Sequence, residues 1–243
     1  MSSEARPAFY ALAPGGWSDY VTLIHPPYTA WHLSYVVIGA CFAPHVPAWR
    51  LALTVLAFFL GLGIGAHALD ELNGRPLQTR IPEPVLIALA AGSLAGASAI
   101  GIVVAIDVDL WLLPFIAFGV FIACAYNLEL FGGRFHGSFW LATAWGAFPV
   151  LTAYFAASGK IRGEAVLAAV FAALLIRAQQ ILSTPVRDVR RRTVSVTGVI
   201  ERTDGTRVPI GPETLTAANE LALKFIAGGS IALAAAFLLL RFA

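Results

Sequence analysis

At 243 residues the chain has the length of one or two soluble domains, but its composition excludes that class. Apolar residues make up 58% and charged residues 12%, with a mean hydropathy of +0.77, whereas a soluble domain carries about a quarter charged residues. Such a chain cannot cover itself with polar groups, so its outer surface must face lipid, and a net charge of +2 provides no basic field for nucleic acid.

In chain order, the N-terminal stretch MSSEARPAFYALAPGG lacks the basic region and short apolar core of a signal peptide, so the first span is expected to stay in the mature protein. Trp17, Tyr20 and His25-Pro26-Pro27-Tyr28 suit an interfacial segment, where amphipathic rings settle. His25 and His32 read as interfacial or core polar groups rather than ligands. A helix crossing the hydrocarbon needs about 20 apolar residues. The expected spans are 29–44, 49–69, 84–106, 109–127, 138–158, 163–183 and 219–241, the first being short enough to be re-entrant. The fold class is therefore an all-α integral membrane bundle of about seven transmembrane helices. Small residues recur in GLGIGA (61–66) and ALAAGSLAGASA (88–99), marking faces where helix backbones approach closely. Cys41 and Cys124 both fall inside apolar segments and read as buried small hydrophobes.

Basic residues in short loops mark the cytoplasmic side. With the N-terminus inside, the inner segments hold Arg6, Arg75, Arg80, Arg134, Arg187, Arg190, Arg191, Arg192, Arg202 and Arg207, against Arg50, Lys160, Arg162 and Arg241 outside. The expectation is N-terminus in and C-terminus out. The chain reads as a single transmembrane domain over 1–243, with an inner-face loop at 184–218. There TVSVTGVIERTDGTRVPI alternates around Asp204-Gly205, a two-residue hairpin signal. That hairpin serves either as a lid or docking surface or as an ordered connector.

Ionisable residues at membrane depth are costly and often functional, and three clusters end the second, fourth and sixth spans. In the first, His67, Asp70 and Glu71 share one helix face, suited to a divalent metal or a polar head group. The alternative is an interfacial helix end capped by Asn73-Gly74 and stopped by Pro76. In the second, Tyr126 through His136, Gly132-Gly133 allows a sharp turn or close approach of a ligand. Glu129 and His136 are then placed to join the first cluster, unless this is an ordinary loop. In the third, Arg177, Gln180 and Thr184 share a face, and Arg187 through Arg192 gathers four arginines around Asp188. The planar arginine fork suits phosphate. Arg190 and Arg191 read instead as anchors meeting anionic lipid, while Arg177 requires a specific partner inside the bundle.

Over residues 25–198 the order of these features resembles the UbiA superfamily of intramembrane prenyltransferases, above all its menaquinone-type branch. His67-x-x-Asp70-x-x-x-Gly74 stands where that family carries its first aspartate-rich motif. Thr184-x-x-Arg187-Asp188-x-x-x-Arg192 stands where it carries the second, and Tyr126 through Gly159, with Trp145-Gly146 and Tyr154, is similar to its middle segment. Of the motif carboxylates Asp70 and Asp188 remain; His67, Gly74 and Arg192 replace others, and one clear span follows the second motif where the family has more.

The resemblance implies a UbiA-like bundle binding an isoprenoid diphosphate with its head group at the cytoplasmic face, transferring or cyclising the prenyl chain. It implies catalytic roles for Asp70, Asp188 and His67, with Asp70 and Asp188 holding a reduced Mg²⁺ complement. Arg187, Arg192 and Arg134 would neutralise leaving-group charge. Arg177 and Gln180 would bind substrate, and Tyr126, Trp145 or Tyr154 would form a cation-stabilising wall. The alternative is a non-catalytic relative, binding a quinone or other isoprenoid among membrane lipids or serving as a subunit of a membrane complex. A third reading, a metal-dependent membrane hydrolase or oxidase, would use His67, Asp70, Glu129 and His136 as ligands for zinc or iron.

Overall fold

The computed structural model describes residues 7–243, so Arg6 lies outside the described residues. They form α1 (Trp17–Leu23), α2 (Pro26–Phe42), α3 (Ala48–Leu72), α4 (Glu83–Val108), α5 (Leu110–Asn127), α6 (Ser138–Ser158), α7 (Gly163–Arg192), β1 (Gly198–Glu201), β2 (Arg207–Ile210) and α8 (Pro212–Phe242). The six helices from α3 to α8 are each long and apolar enough to cross a membrane. Their outer faces carry exposed apolar side chains, among them Ile102, Val103 and Ile106 on α4, Leu167 and Leu174 on α7, and Phe225 and Leu240 on α8. Burial grades the helices. Only 17% of the most apolar window of α4 is buried inside the protein against 61% for α6, so α4 is a peripheral helix and α6 an inner one.

The short α2 is the axis of the bundle. It opens on Pro26-Pro27, whose missing amides fall where a helix has no partner for them. Trp31, Tyr35 and Val36 are wholly buried, and α2 packs against α6 and α8. A helix sheathed by protein rather than lipid need not be uniformly apolar, which is why its 17 residues hold Thr29, His32 and Ser34. Glycine makes the packing possible. A Cβ on Gly39 would collide with the Val150 carbonyl oxygen, and one on Gly146 would lie 2.8 Å from that of Ala172. The two small-residue stretches meet each other: Gly65 on α3 faces Leu94 on α4, and Gly96 on α4 faces Leu60 on α3.

Two inner helices contain π-wound segments, Phe59–Ala66 in α3 and Thr143–Ala147 in α6. A π turn winds more loosely than an α turn, so it re-aims the side chains beyond it, and such turns recur at functional sites. Here they precede His67 and contain Trp145.

At the end of the bundle bearing Arg50 and Arg241, both guanidiniums are committed to helix ends. Arg50 pairs with Asp107 at 2.5 Å and donates to the Ala157 carbonyl at 3.3 Å. Arg241 donates to the carbonyls of Cys41 at 2.9 Å and Ala43 at 2.8 Å, groups that α2 leaves unpaired at its C-terminus.

Two expectations are corrected. The segment 184–192 is not loop, because α7 runs through Pro185 to Arg192. Proline removes one backbone hydrogen bond, a loss of about 3 kcal/mol in an isolated helix. Arg190, Arg191 and Arg192 in the last turn complement the helix dipole, and Arg190 pairs with Glu220 on α8 at 2.6 Å. The hairpin exists, pairing Gly198 with Ile210 and Glu201 with Arg207, but its turn is not two residues long. Arg202 N donates to Thr206 O and Gly205 N to Arg202 O, both at 2.9 Å, which leaves a three-residue turn, Thr203-Asp204-Gly205. Gly205 has φ 82°, the left-handed residue such a turn requires.

Candidate functional site

The site begins with the end of α3. Glu71 is fully buried, and its carboxylate accepts from Leu77 N at 3.0 Å, Thr79 N at 2.8 Å and Thr79 Oγ1 at 2.9 Å. It therefore pins the loop after α3 and is not free to join His67 and Asp70 as a ligand. Arg75 ties the same loop through the carbonyls of Thr79 at 3.2 Å and Ile81 at 2.6 Å. Asp19 clamps it to α1, accepting from Arg80 N and Gly15 N at 2.9 Å each. Asn73 Nδ2 donates to Asn127 O at 3.0 Å, joining the ends of α3 and α5.

Between these ends lies a cavity of about 490 Å³. α2 and the residue before it contribute His25, Tyr28 and His32; α3 contributes His67 and Asp70; α5 contributes Tyr126; α7 contributes Gln179, Gln180, Ser183, Arg187, Arg191 and Arg192. Phe9 and Tyr10 line it from the N-terminal segment, which is fastened by Arg191 Nε donating to Pro7 O at 3.1 Å. Tyr10 packs edge-on to Tyr28, centroids 5.5 Å apart, and burial pushes its phenol above the ordinary tyrosine range, the Tyr28 ring adding to the effect.

His25 adopts the left-handed region at φ 46°, strain that a non-glycine residue carries where the surroundings hold it. Its ring stacks on His67 with centroids 4.0 Å apart. Burial, and then the neighbouring His67, hold the His25 imidazole well below its usual range, so it is neutral. His25 and His32 are therefore cavity groups and not merely interfacial or core ones. Tyr126 sits between His136, at 4.5 Å, and Trp145, at 4.6 Å, and His136 Nδ1 donates to the Tyr126 carbonyl at 2.9 Å. Trp145 also lines a second, apolar cavity of about 120 Å³, walled by Leu62, Leu94, Ile116 and Phe148 among others.

The residues singled out from sequence divide accordingly. Asp70, His67, Tyr126, Gln180, Arg187 and Arg192 line the polar cavity. Arg177 does not; its guanidinium donates to the Gln180 side-chain oxygen one turn along α7, which supplies the partner it needed. Arg134 and Glu129 are exposed and outside the lining. Tyr154 is wholly buried in the main core, and its hydroxyl donates to Glu164 at 2.6 Å, away from the cavity. Asp188 is exposed, 3.5 Å from Arg192, and does not line the cavity, so it and Asp70 are not gathered on one wall.

Among the described residues no group of three or more His, Cys, Asp or Glu side chains is arranged to hold a metal. That absence extends to the set His67, Asp70, Glu129 and His136.

Sequence reasoning passed over Gln179, Tyr10 and the cavity role of Arg191. Arg190 and Arg191 both read as lipid anchors, but Arg190 pairs with Glu220 on α8 at 2.6 Å and Arg191 lines the cavity while holding Pro7 O. The helical phase beyond Arg187 was the available signal, since Arg191 lies one turn on, on the same face. No protein-family model matches the chain, and neither a curated protein nor a solved structure is significantly similar to it.

Proposed function

We propose that the chain is a UbiA-like, seven-span membrane protein that binds an isoprenoid diphosphate in the polar cavity and transfers or cyclises its prenyl chain. The observation that carries this reading is the pairing of two unlike spaces across Trp145. One is lined by Arg187, Arg191 and Arg192, the other is mostly apolar, with Thr54, Ser98 and Thr152 among its lining residues. A ligand with a polyanionic head and a hydrocarbon tail fits that pairing, since arginines recognise phosphate oxygens by charge-assisted hydrogen bonds. On the sidedness given by the basic residues, the head lies at the cytoplasmic face, with the N-terminus inside and the C-terminus outside.

Mg²⁺, implied by the resemblance, fits these residues poorly. Asp70 is the one carboxylate on the cavity wall, and a single carboxylate supplies too little negative charge to hold Mg²⁺ against a diphosphate. Neutralisation of the head group therefore falls to the arginines, and binding is expected to survive EDTA while weakening as salt screens the charges. Ionisation of an allylic diphosphate would leave a cation that Tyr126 and Trp145 are placed to face with their rings.

The test is diphosphate release from polyprenyl diphosphates of several lengths by the purified chain, with and without Mg²⁺. Release that falls at least about 100-fold in Arg187→Ala/Arg191→Ala supports the reading, because removal of charge stabilisation at a leaving group has that scale. No release and no binding across all donors would sink it. The second reading, a non-catalytic isoprenoid-binding protein, is favoured by the position of Asp188 outside the cavity. It predicts donor binding without release.

A further inference from the structure

Between α5 and α6 the chain makes a strained turn. Glu129 at φ 49°, Phe131 at 58°, Gly132 at 68° and Gly133 at 75° all take the left-handed backbone region. Two of them carry side chains, a strain that persists only where the surroundings hold it. Its effect is to bend the chain back along α5. Phe121 stands six residues before the end of that helix at Asn127, about 9 Å down its axis. Yet Phe131 and Phe135, beyond that end, meet its ring with centroids 6.2 and 5.0 Å away. Phe135 continues to Trp140 at 4.9 Å, and Trp140 to Phe139 at 5.4 Å.

The outer side of this cluster is bare, with Phe131 67% and Phe139 70% exposed. An exposed apolar patch of this kind marks an interaction site. It is continuous with the exposed ring of Phe121, which belongs to a helix long and apolar enough to cross a membrane. The backbone of the turn is satisfied from within: Leu130 N donates to Ala125 O at 3.1 Å, and Gly133 N to Glu129 O and His136 N to Gly133 O at 2.9 Å each. It can therefore rest at headgroup level without orphan amides while its rings reach deeper. Arg134, between the two loop phenylalanines, is exposed and makes no hydrogen bond or ion pair among the described residues. A free guanidinium beside rings of that depth complements an anionic headgroup.

We propose that the turn 128–137 is a phospholipid site, in which Phe131 and Phe139 lie among acyl chains and Arg134 takes the phosphate of an anionic lipid. It faces the bilayer and does not depend on the diphosphate reading of the cavity.

The test uses the full chain in vesicles of phosphatidylcholine and phosphatidylglycerol, one or the other brominated on its acyl chains. Phe131→Trp places a reporter ring in the patch, its emission taken as the difference from the unsubstituted chain. Bromine quenches tryptophan at contact range, so the reporter senses lipid at the patch and not at the cavity arginines. It is expected to be quenched by brominated lipid and shielded from aqueous iodide. Its relative binding constant for phosphatidylglycerol over phosphatidylcholine should be about five-fold, the scale of one arginine at an anionic membrane surface. Phe131→Trp/Arg134→Gln should lower that ratio to about one, and the exposed, unpaired Arg134 can be lost without harm to the fold. Quenching by iodide in place of brominated lipid would put the turn in water and overturn the proposal. So would a reporter shielded from both, because protein, a second copy of the chain or another partner, would then cover the patch. A ratio near one in Phe131→Trp, or one that Arg134→Gln leaves unchanged, overturns the headgroup site.

Discussion

Replacing Glu71 by alanine removes a carboxylate that is 0% exposed and leaves two backbone donors behind, Leu77 N and Thr79 N, in residues only 4% and 6% exposed. A buried donor without a partner costs about 1–3 kcal/mol, so the pair amounts to about 2–6 kcal/mol, while the Thr79 hydroxyl can turn elsewhere. Few substitutions reach that range, and those that do have a named cause of this kind. Glu71→Gln separates hydrogen bonding from bulk. Its oxygen still accepts from Thr79 N, but its amide group opposes the Leu77 N–H, so about 1–3 kcal/mol is expected. Unfolding in mixed micelles, followed by tryptophan fluorescence, measures both variants. Because the same loop delivers Pro76 to the cavity lining, ligand affinity should fall in the order wild type, Gln, Ala. A loss below about 1 kcal/mol for Glu71→Ala, or equal losses for the two variants, would refute the assignment of this carboxylate as the anchor of the loop.

Gly146→Val places a Cβ where the Ala172 oxygen and the Ala173 Cα each lie 2.8 Å away, contacts with rigid backbone that cannot yield as a flexible side chain would. A destabilisation of about 1–3 kcal/mol is expected in the same assay, whereas Gly228→Val, which meets nothing within 4 Å, should change little. The His25 imidazole has its folded-state value lowered from 6.5 by burial first and by His67 second. Above pH 6.5 both states are neutral and nothing is lost; as pH falls below it the unfolded chain takes up a proton that the folded chain refuses, so stability declines. His25→Asn, which tolerates the left-handed backbone, should make that acid-side decline shallower. An identical slope in the two proteins would show that His25 is not a source of it.

Much of the architecture was legible because lipid imposes a simple rule. Six apolar stretches became the six long helices, four of them within three residues of the ends expected, while α7 runs on to Arg192 and α8 begins at Pro212. The glycine-rich and alanine-rich stretches of α3 and α4 packed together because in hydrocarbon small residues are what let backbones touch. The end of the sixth span was misjudged because proline is a strong breaker in a local reading. Arg187, bonded to Ser183 and Thr184 at 3.1 and 3.2 Å, and the pair of Arg190 with Glu220 on α8 carry α7 past it. The site divided in the same way. His67, Asp70, Arg187 and Arg192 were found because ionisable groups near a membrane are conspicuous. Asp188 and Arg192 lie four residues apart on one helix and were assigned to one site, yet Asp188 turned outward and Arg192 lines the cavity.

The sequence by itself determined that this chain forms helices long and apolar enough to cross a membrane and where its polar clusters fall along them, since both follow from the free energy of moving charge and apolar surface between water and lipid. Only the tertiary structure decided which of those polar residues share a space. The left-handed turn at His25, the π-wound turn before His67 and the N-terminal segment over Tyr28 bring together groups far apart in the chain. No periodicity encodes that meeting, because it depends on the phase and crossing of helices, and those are set by packing among α2, α3 and α7 rather than by any one of them.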